Sequence, residues 1–189
     1  MRCFRPRLQF GSDYSDSERR VTEEYLKNFS GTLQLVQRAQ TSIICHTMKW
    51  VTRKNVKVDR VACPWLIRRF IDPQAEFLFV AEDQLLETAQ RAGAIPFDAP
   101  RMPEVKLNHR GDRCSFESIM EDYALIDPAL QRLAFIVRAA DVKGQENAAP
   151  EGLGLRAIAE GFARMAISDE ERLERQFPLY DALYEYCSR

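Results

Sequence analysis

Residues 59–72, with the sequence DRVACPWLIRRFID, constrain the fold more than any other part of the chain. Pro64 has no backbone N–H and fits best in the first turn of a helix, so the segment predicts a helix that begins near Cys63. A thiol at this end of a helix lies in the positive field of the helix dipole, which lowers its pKa if the site is open to solvent. Trp65 and Arg69 share a face on which a guanidinium stacks on an indole. The alternative is a buried structural helix with an apolar cysteine and solvated arginines.

Composition places the chain among ordinary globular proteins. It has 189 residues, of which 46% are hydrophobic and 29% are charged, which is typical of one domain with a real core. The net charge of −1 gives no support for bulk electrostatic binding to nucleic acid or to an anionic membrane. The five cysteines form no C-x-x-C pair, and no secretory signal or membrane span is apparent, so we predict a cytoplasmic protein with reduced thiols.

The first part of the chain differs from the rest. Residues 1–47 are rich in Arg, Ser and Asp, whereas Met48 opens the sequence MKWVTRKNVKVDR, which is typical of a natural start. We therefore predict one domain over residues 48–189. Residues 1–47 are predicted to be a loosely structured N-terminal extension, or upstream sequence included through a wrong choice of start.

The pattern after Met48 predicts an α+β fold, a predominantly helical single domain with a small two- or three-stranded sheet. The sheet is predicted from residues 76–80 and 94–97, with 105–108 as the optional third strand, and residues 49–58 fit a weak edge strand. Capping and periodicity predict further helices at 82–92, from Ser115, at 128–141, at 157–167 and from Ser168. Ile158, Phe162 and Met165 are expected to face inward, and Pro178 to kink or split the last helix.

A second segment with chemical potential is HRGDRCSFE, residues 109–117. Cys114, like Cys63, precedes a predicted helix, and Gly111 allows a sharp turn between Cys114 and His109. Two thiols and one imidazole form a donor set for a zinc-like divalent ion, or a redox-active thiol site. They fit equally well two core cysteines and one hydrogen-bonded histidine. Asp141, after a long apolar helix, caps that helix, pairs with an arginine or supplies an oxygen ligand, and the sequence does not rank these roles.

Five stretches together resemble the ChrB chromate-resistance family: DRVACPWLIRRFIDPQAEFLFV, GAIPFD, HRGDRCSFE, DPALQRLAFIVRAADV and the tail LYDALYEYC. The resemblance spans about residues 48–188 and corresponds to the C-terminal domain of that family. Longer members carry an N-terminal domain implicated in chromate-responsive regulation, or a rhodanese-like domain, and residues 1–47 match neither. The resemblance implies a cytoplasmic bacterial role in chromate resistance, and it argues against direct DNA binding by this chain alone.

This resemblance indicates that the polar residues form one functional site. Chromate is a tetrahedral dianion and an oxidant; arginine forks match oxyanions, and a thiolate donates electrons. We therefore expect one pocket in which Cys63, His109 and Cys114 converge, with Arg60 and either Arg68 or Arg69 at its rim. The predicted roles are anion binding for Arg60, Arg68 and Arg69, metal or redox chemistry for Cys63, His109 and Cys114, and support from Asp59, Trp65, Glu117 and Asp141. No residue is assigned a catalytic role.

Three functions fit these expectations. The first is a chromate-resistance accessory protein that senses or handles chromate, a related oxyanion or a metal through the Arg/Cys/His site. The second is a redox or metal-dependent enzyme that acts on chromium or reactive oxygen species. The third is a non-catalytic module that binds a protein partner, such as a chromate regulator or transporter. Stoichiometric metal in the purified protein favours the first two, and turnover of chromate separates the enzyme from the accessory protein.

Overall fold

A computed structural model describes residues 47–189, so the predicted N-terminal extension lies outside the described residues. The described part contains six α-helices and one three-stranded parallel sheet. The prediction of a mostly helical α+β fold with a small sheet is confirmed. No helix within residues 47–189 has the length and apolar character needed to cross a membrane.

The sheet is built around its first strand. Strand β1, Lys49–Arg53, lies between β2, Glu76–Val80, and β3, Ile95–Pro96, and pairs in parallel with both. The prediction of an edge strand here is wrong, because both sides of β1 are hydrogen-bonded and its residue Trp50 is fully buried. Strand β2 has its predicted bounds. Residues 105–108 form no regular strand, since the pairing found there is an isolated bridge of Leu107 with Phe97.

The central helix starts earlier than the proline rule predicts. Helix α1, Val58–Leu66, continues as a π-helix over Ile67–Ile71, and Pro64 lies inside it. The expected start at Cys63 is therefore wrong. A proline inside a helix removes one backbone hydrogen bond, but most residues of α1 are buried. Burial of their apolar side chains outweighs the lost bond.

The next three helices follow their predicted signals. Helix α2, Leu85–Ala92, is preceded by a short 3-10 turn and ends at Gly93, which has the left-handed φ of 60° that glycine adopts without strain. Helix α3 is Ser115–Asp122. Helix α4, Pro128–Asp141, is capped by Asp127, whose side chain accepts hydrogen bonds from two backbone N–H groups of the first turn. Local capping chemistry thus fixes these boundaries.

The last two helices differ from prediction in extent and face. Helix α5, Glu151–Arg164, begins before residue 157, and its residue Gly152 packs against Ala139 of α4. The side chains of Ile158 and Met165 face solvent instead of the core. Helix α6, Asp169–Cys187, has the predicted Ser168 cap and runs through Pro178 as one helix. The expected split at this proline is wrong.

Helix α1 is anchored to α6 by an aromatic cluster. Trp65 is 1% exposed, and its ring packs against Phe70, Tyr180 and Tyr184. Its Nε1 atom donates a hydrogen bond of 2.8 Å to Asp181. This packing fixes the helix that carries the first residue of the candidate site.

Candidate functional site

Four polar side chains meet where α1 and α3 begin and α4 ends. We call Asp59, Asp98, His109 and Asp141 the carboxylate–histidine cluster. Asp59 lies in the first turn of α1, Asp141 is the last residue of α4, and Asp98 and His109 belong to the segment that joins β3 to α3. The Nε2 atom of His109 lies 3.4 Å from Asp59 Oδ2, 3.4 Å from Asp141 Oδ2 and 3.5 Å from Asp98 Oδ1.

These distances show more acceptors than one imidazole can satisfy. The Nε2 atom carries at most one proton, and an N–H···O hydrogen bond is normally 2.7–3.2 Å long. Three carboxylate oxygens near one nitrogen match a site where carboxylates and imidazole share a cation. One ligand atom from each of Asp59, His109 and Asp141 lies within 4.8 Å of the others. Across residues 47–189, this is the group of metal-ligand side chains that lies close enough to hold one ion.

Asp59 is fixed by the backbone of α3. Its Oδ2 atom accepts a 2.6 Å hydrogen bond from Ser115 N–H, and its Oδ1 atom accepts one of 3.1 Å from Phe116 N–H. The side chain therefore caps α3 from a distant part of the chain. Burial raises the pKa of Asp59 to about 6, and the hydrogen bond with His109 opposes that shift. With a pKa of about 6 this carboxylate is still mostly ionised at neutral pH, and a positive charge nearby favours the ionised form.

Asp98 already has positive partners. Its Oδ2 atom lies 3.3 Å from Arg60 Nε and 3.4 Å from Arg53 Nη2, and its Oδ1 atom accepts a 3.1 Å hydrogen bond from the Ser115 hydroxyl. Burial by itself would raise the pKa of Asp98, but His109, Arg60 and Arg53 together lower it. Asp98 is thus the member of the cluster whose charge is already balanced by arginine, whereas Asp59 and Asp141 face His109.

His109 responds to the surrounding carboxylates. Hydrogen bonding to Asp141, and then to Asp59 and Asp98, raises the pKa of His109 well above its usual value. The protonated imidazole balances part of the negative charge in the cluster. A metal ion bound by Asp59, His109 and Asp141 would replace that proton, because only the neutral ring acts as a ligand. The His109 side chain is 25% exposed and that of Asp141 22% exposed, so solvent reaches the cluster.

The two cysteines differ from the sequence prediction in their burial and in the pKa of their thiols. Cys63 lies within α1, where its Sγ is 3.5 Å from Asp59 Oδ1, and Cys114 is the residue before α3; both are fully buried. Burial, followed by the negative charge of Asp59, raises the pKa of both thiols well above its usual value. The expected lowering of the thiol pKa is therefore wrong. Neither sulfur belongs to the group of close ligand atoms, so the structure does not form the Cys/His/Cys set.

The three arginines predicted to bind an anion lie in different surroundings. Arg60 borders the cluster through Asp98. Arg68 donates to the Ala75 carbonyl at 3.3 Å and packs over the rings of Phe77 and Phe177. Arg69 forms a 2.6 Å ion pair with Asp181 rather than stacking on the Trp65 ring. The structure thus places Arg60 at the cluster and engages the other two elsewhere.

Glu117, which the sequence predicted to support the site, lies at the start of α3. It accepts a 3.0 Å hydrogen bond from Cys114 N–H and pairs with Arg138, so it orders this end of the helix.

Sequence reasoning missed two residues of the site, Asp98 and Arg53. The available signal for Asp98 was its place just after β3, because the carboxyl ends of parallel strands meet at one edge of a sheet, where ligands bind.

Comparison with known proteins identifies the family of this chain. The chain matches the model of the ChrB C-terminal domain over residues 50–187, a range that contains the entire cluster. The chain belongs to this ChrB family. It is 36% identical over 141 residues to Protein ChrB of Cupriavidus metallidurans, in an alignment that covers 74% of this chain and 41% of that protein. It therefore spans less than half the length of its ChrB relative. No solved structure matches it.

Proposed function

We propose that this ChrB-family chain is a chromate-resistance accessory protein that binds one divalent metal ion through Asp59, His109 and Asp141. Family membership supports the link with chromate resistance. The observation that carries the metal proposal is the convergence of three carboxylate oxygens within 3.5 Å of one imidazole nitrogen. A protonated histidine satisfies one of these oxygens, whereas a metal ion binds several at once.

The donor types narrow the choice of ion. Two carboxylates and one imidazole suit ions that accept oxygen and nitrogen ligands, such as Mn²⁺, Fe²⁺ or Zn²⁺. The sequence predicted a zinc-like ion with two thiolate ligands, and the geometry supports a carboxylate-rich set instead. Three protein ligands leave coordination positions for water or for an oxygen of another molecule. The partial exposure of Asp141 places such positions within reach of solvent.

The position of the ligands suggests how the ion would act. Asp59 belongs to α1, Asp141 ends α4, and His109 precedes α3. One ion would therefore tie together three segments that are distant in sequence, and its binding would favour one arrangement of these segments. This supports a sensing or accessory role. The open coordination positions favour a metal-dependent enzyme as the second candidate.

Elemental analysis of the purified protein tests this function. We expect stoichiometric Mn, Fe or Zn in the wild-type chain and a large loss of metal in His109→Ala and Asp141→Asn. Cys114→Ser and Cys63→Ala are matched controls, because these sulfurs lie outside the ligand group. Loss of metal in the cysteine variants alone, or no stoichiometric metal in the wild type, would refute the assignment.

A resistance assay then tests the biological role. In a chromate-sensitive host that is complemented by the wild-type gene, we expect His109→Ala to reduce survival on chromate and Cys114→Ser to retain it. Equal protein levels, measured by immunoblot, are the necessary control. Full resistance of a variant that has lost its metal would show that the ion is not part of this function.

A further inference from the structure

A cavity of about 270 Å³ opens beside the carboxylate–histidine cluster. We propose that it binds a tetrahedral oxyanion next to the metal ion, an inference that rests on the proposed metal site. Its charged lining residues are Lys57, Asp141, Lys143, Arg156 and Glu160, and we call it the Lys57 cavity. Asp141 belongs both to this lining and to the ligand group. An anion in the cavity would therefore lie next to one of the three residues that are proposed to hold the ion.

Three cations give the cavity its preference for anions. Lys57 and Lys143 are exposed, and neither takes part in the ion pairs found between residues 47 and 189. Arg156 is fixed in place, because it donates to the Ala140 carbonyl at 2.7 Å and to the Ala139 carbonyl at 3.1 Å, and its Nη1 atom lies 3.5 Å from Glu146 Oε1. The two adaptable ammonium groups match the oxygens of a compact dianion, and Arg156 adds a fixed positive charge that Glu146 offsets in part.

The start of α1 adds to this field. Lys57 is the cap residue of a nine-residue helix, and its side chain makes no capping hydrogen bond. The Asp59 N–H donates to Asp141 Oδ1 at 3.4 Å, so Asp141 takes up one of the free N–H groups at this helix end. Because Lys57 and Val58 line the cavity, the positive end of the helix dipole lies at the same wall as the cations.

The two acidic residues decide when the anion binds. Without a metal ion, the charges of Asp141 and Glu160 oppose an anion in the cavity. A divalent ion balances the charges of Asp59 and Asp141, so that Lys57, Lys143 and Arg156 outnumber the remaining carboxylates of Glu160 and Glu146. The metal and the oxyanion should then bind with positive coupling, in which each strengthens the binding of the other. The ligand class is a small tetrahedral dianion, and sulfate and chromate share this shape and charge.

Calorimetry measures this coupling directly. Metal binding is titrated first by itself, and sulfate is then titrated into metal-free and metal-loaded wild-type protein. We expect the metal to tighten sulfate binding at least fivefold, which is the lower end of typical couplings of about 5–150-fold. Chromate is the second anion, and a tighter value for chromate than for sulfate would indicate which oxyanion the cavity selects.

The double substitution of Lys57→Gln with Lys143→Gln tests the location. We expect it to weaken sulfate binding to the metal-loaded protein at least tenfold, because it removes the two adaptable cations. Lys106→Gln is the matched control, since Lys106 is an exposed lysine that lines a different cavity. Circular dichroism and a thermal melt verify that each variant folds.

The outcomes separate the two proposals. A protein that binds no metal overturns both. A protein that binds metal but shows equal sulfate affinity with and without it overturns the anion inference alone. Unchanged sulfate binding in the Lys57/Lys143 variant also overturns that inference, because the anion would then occupy another place.

Discussion

The indole of Trp65 donates a 2.8 Å hydrogen bond to the carboxylate of Asp181 and so joins α1 to α6. The same carboxylate pairs with Arg69 at 2.6 Å. The helix that supplies Asp59 to the cluster is thus held by the last helix of the chain. Loss of this anchor should disturb the site as well as the core.

Replacement of Trp65 by alanine should lower the free energy of unfolding by about 3–5 kcal/mol, as for other large aromatic residues in cores. Trp65→Phe is the control, because it retains a ring and removes the hydrogen bond, with an expected loss of about 1 kcal/mol beyond any packing change. Urea unfolding followed by circular dichroism measures both. A loss below about 1 kcal/mol for Trp65→Ala would mean that this side chain does not organise the core.

Two glycines of α5 should respond in opposite directions to alanine. A Cβ atom at Gly152 would overlap the Ala139 side chain and lie 2.9 Å from the Ala139 carbonyl carbon, so Gly152→Ala should destabilise the protein by about 1–3 kcal/mol. A Cβ atom at Gly161 meets nothing within 4 Å. Gly161→Ala should therefore stabilise the helix by about 0.5–1 kcal/mol. Thermal melts compare the pair, and equal effects would contradict the close contact of α4 with α5.

The thiols of Cys63 and Cys114 should resist alkylation in the native protein. Both are fully buried, and burial and nearby carboxylates raise the pKa of each. Only the thiolate reacts quickly with iodoacetamide. Peptide mass spectrometry should find both residues unmodified in buffer and modified in guanidinium chloride. Native labelling of either residue at the unfolded rate would restore the reactive-thiol hypothesis.

Acid should weaken the attachment of α6. The hydrogen bond from Arg69 lowers the pKa of Asp181, and the hydrogen bond from Tyr184 lowers that of Asp127. A lowered pKa means that the ionised form is favoured by folding. Its contribution is present above the ordinary value of 3.8 and is lost as the pH falls through the lower folded value.

We therefore expect the variant with Asp127→Asn and Asp181→Asn to show a smaller loss of unfolding free energy than the wild type as the pH falls below about 4. Asp112→Asn is the control, since Asp112 is an exposed carboxylate on a loop. Urea unfolding at a series of pH values provides the comparison. Parallel curves for the wild type and the double variant would contradict this account.

Local sequence signals predicted much of the fold. The helices predicted at 82–92, at 128–141 and from Ser168 depend on neighbouring residues, and in the structure they are bounded by Gly93, Asp127 and Ser168. The place of β1 in the sheet depends on partners far along the chain, so it was predicted as an edge. The Pro64 rule failed for a similar reason, because burial from the surrounding helices outweighed a local preference.

The candidate site shows the same division. His109, Asp59 and Asp141 were identified as polar residues in informative segments, but their convergence is a property of the tertiary structure. The cysteines attracted attention because they were expected at helix starts, where a thiol pKa falls. Burial, followed by the negative charge of Asp59, reverses this effect for both thiols, and neither cause was visible in the sequence.

The spread of the cluster along the chain has a consequence for synthesis. Asp59, Asp98, His109 and Asp141 come from three separate segments, and α1 is secured by Asp181 of α6. A nascent chain on the ribosome cannot complete this arrangement until α4 has emerged, and it lacks the anchor until α6 has emerged. The cluster is therefore completed only after α6 has been synthesised, and an ion bound there would act on a folded domain rather than nucleate an unfinished one.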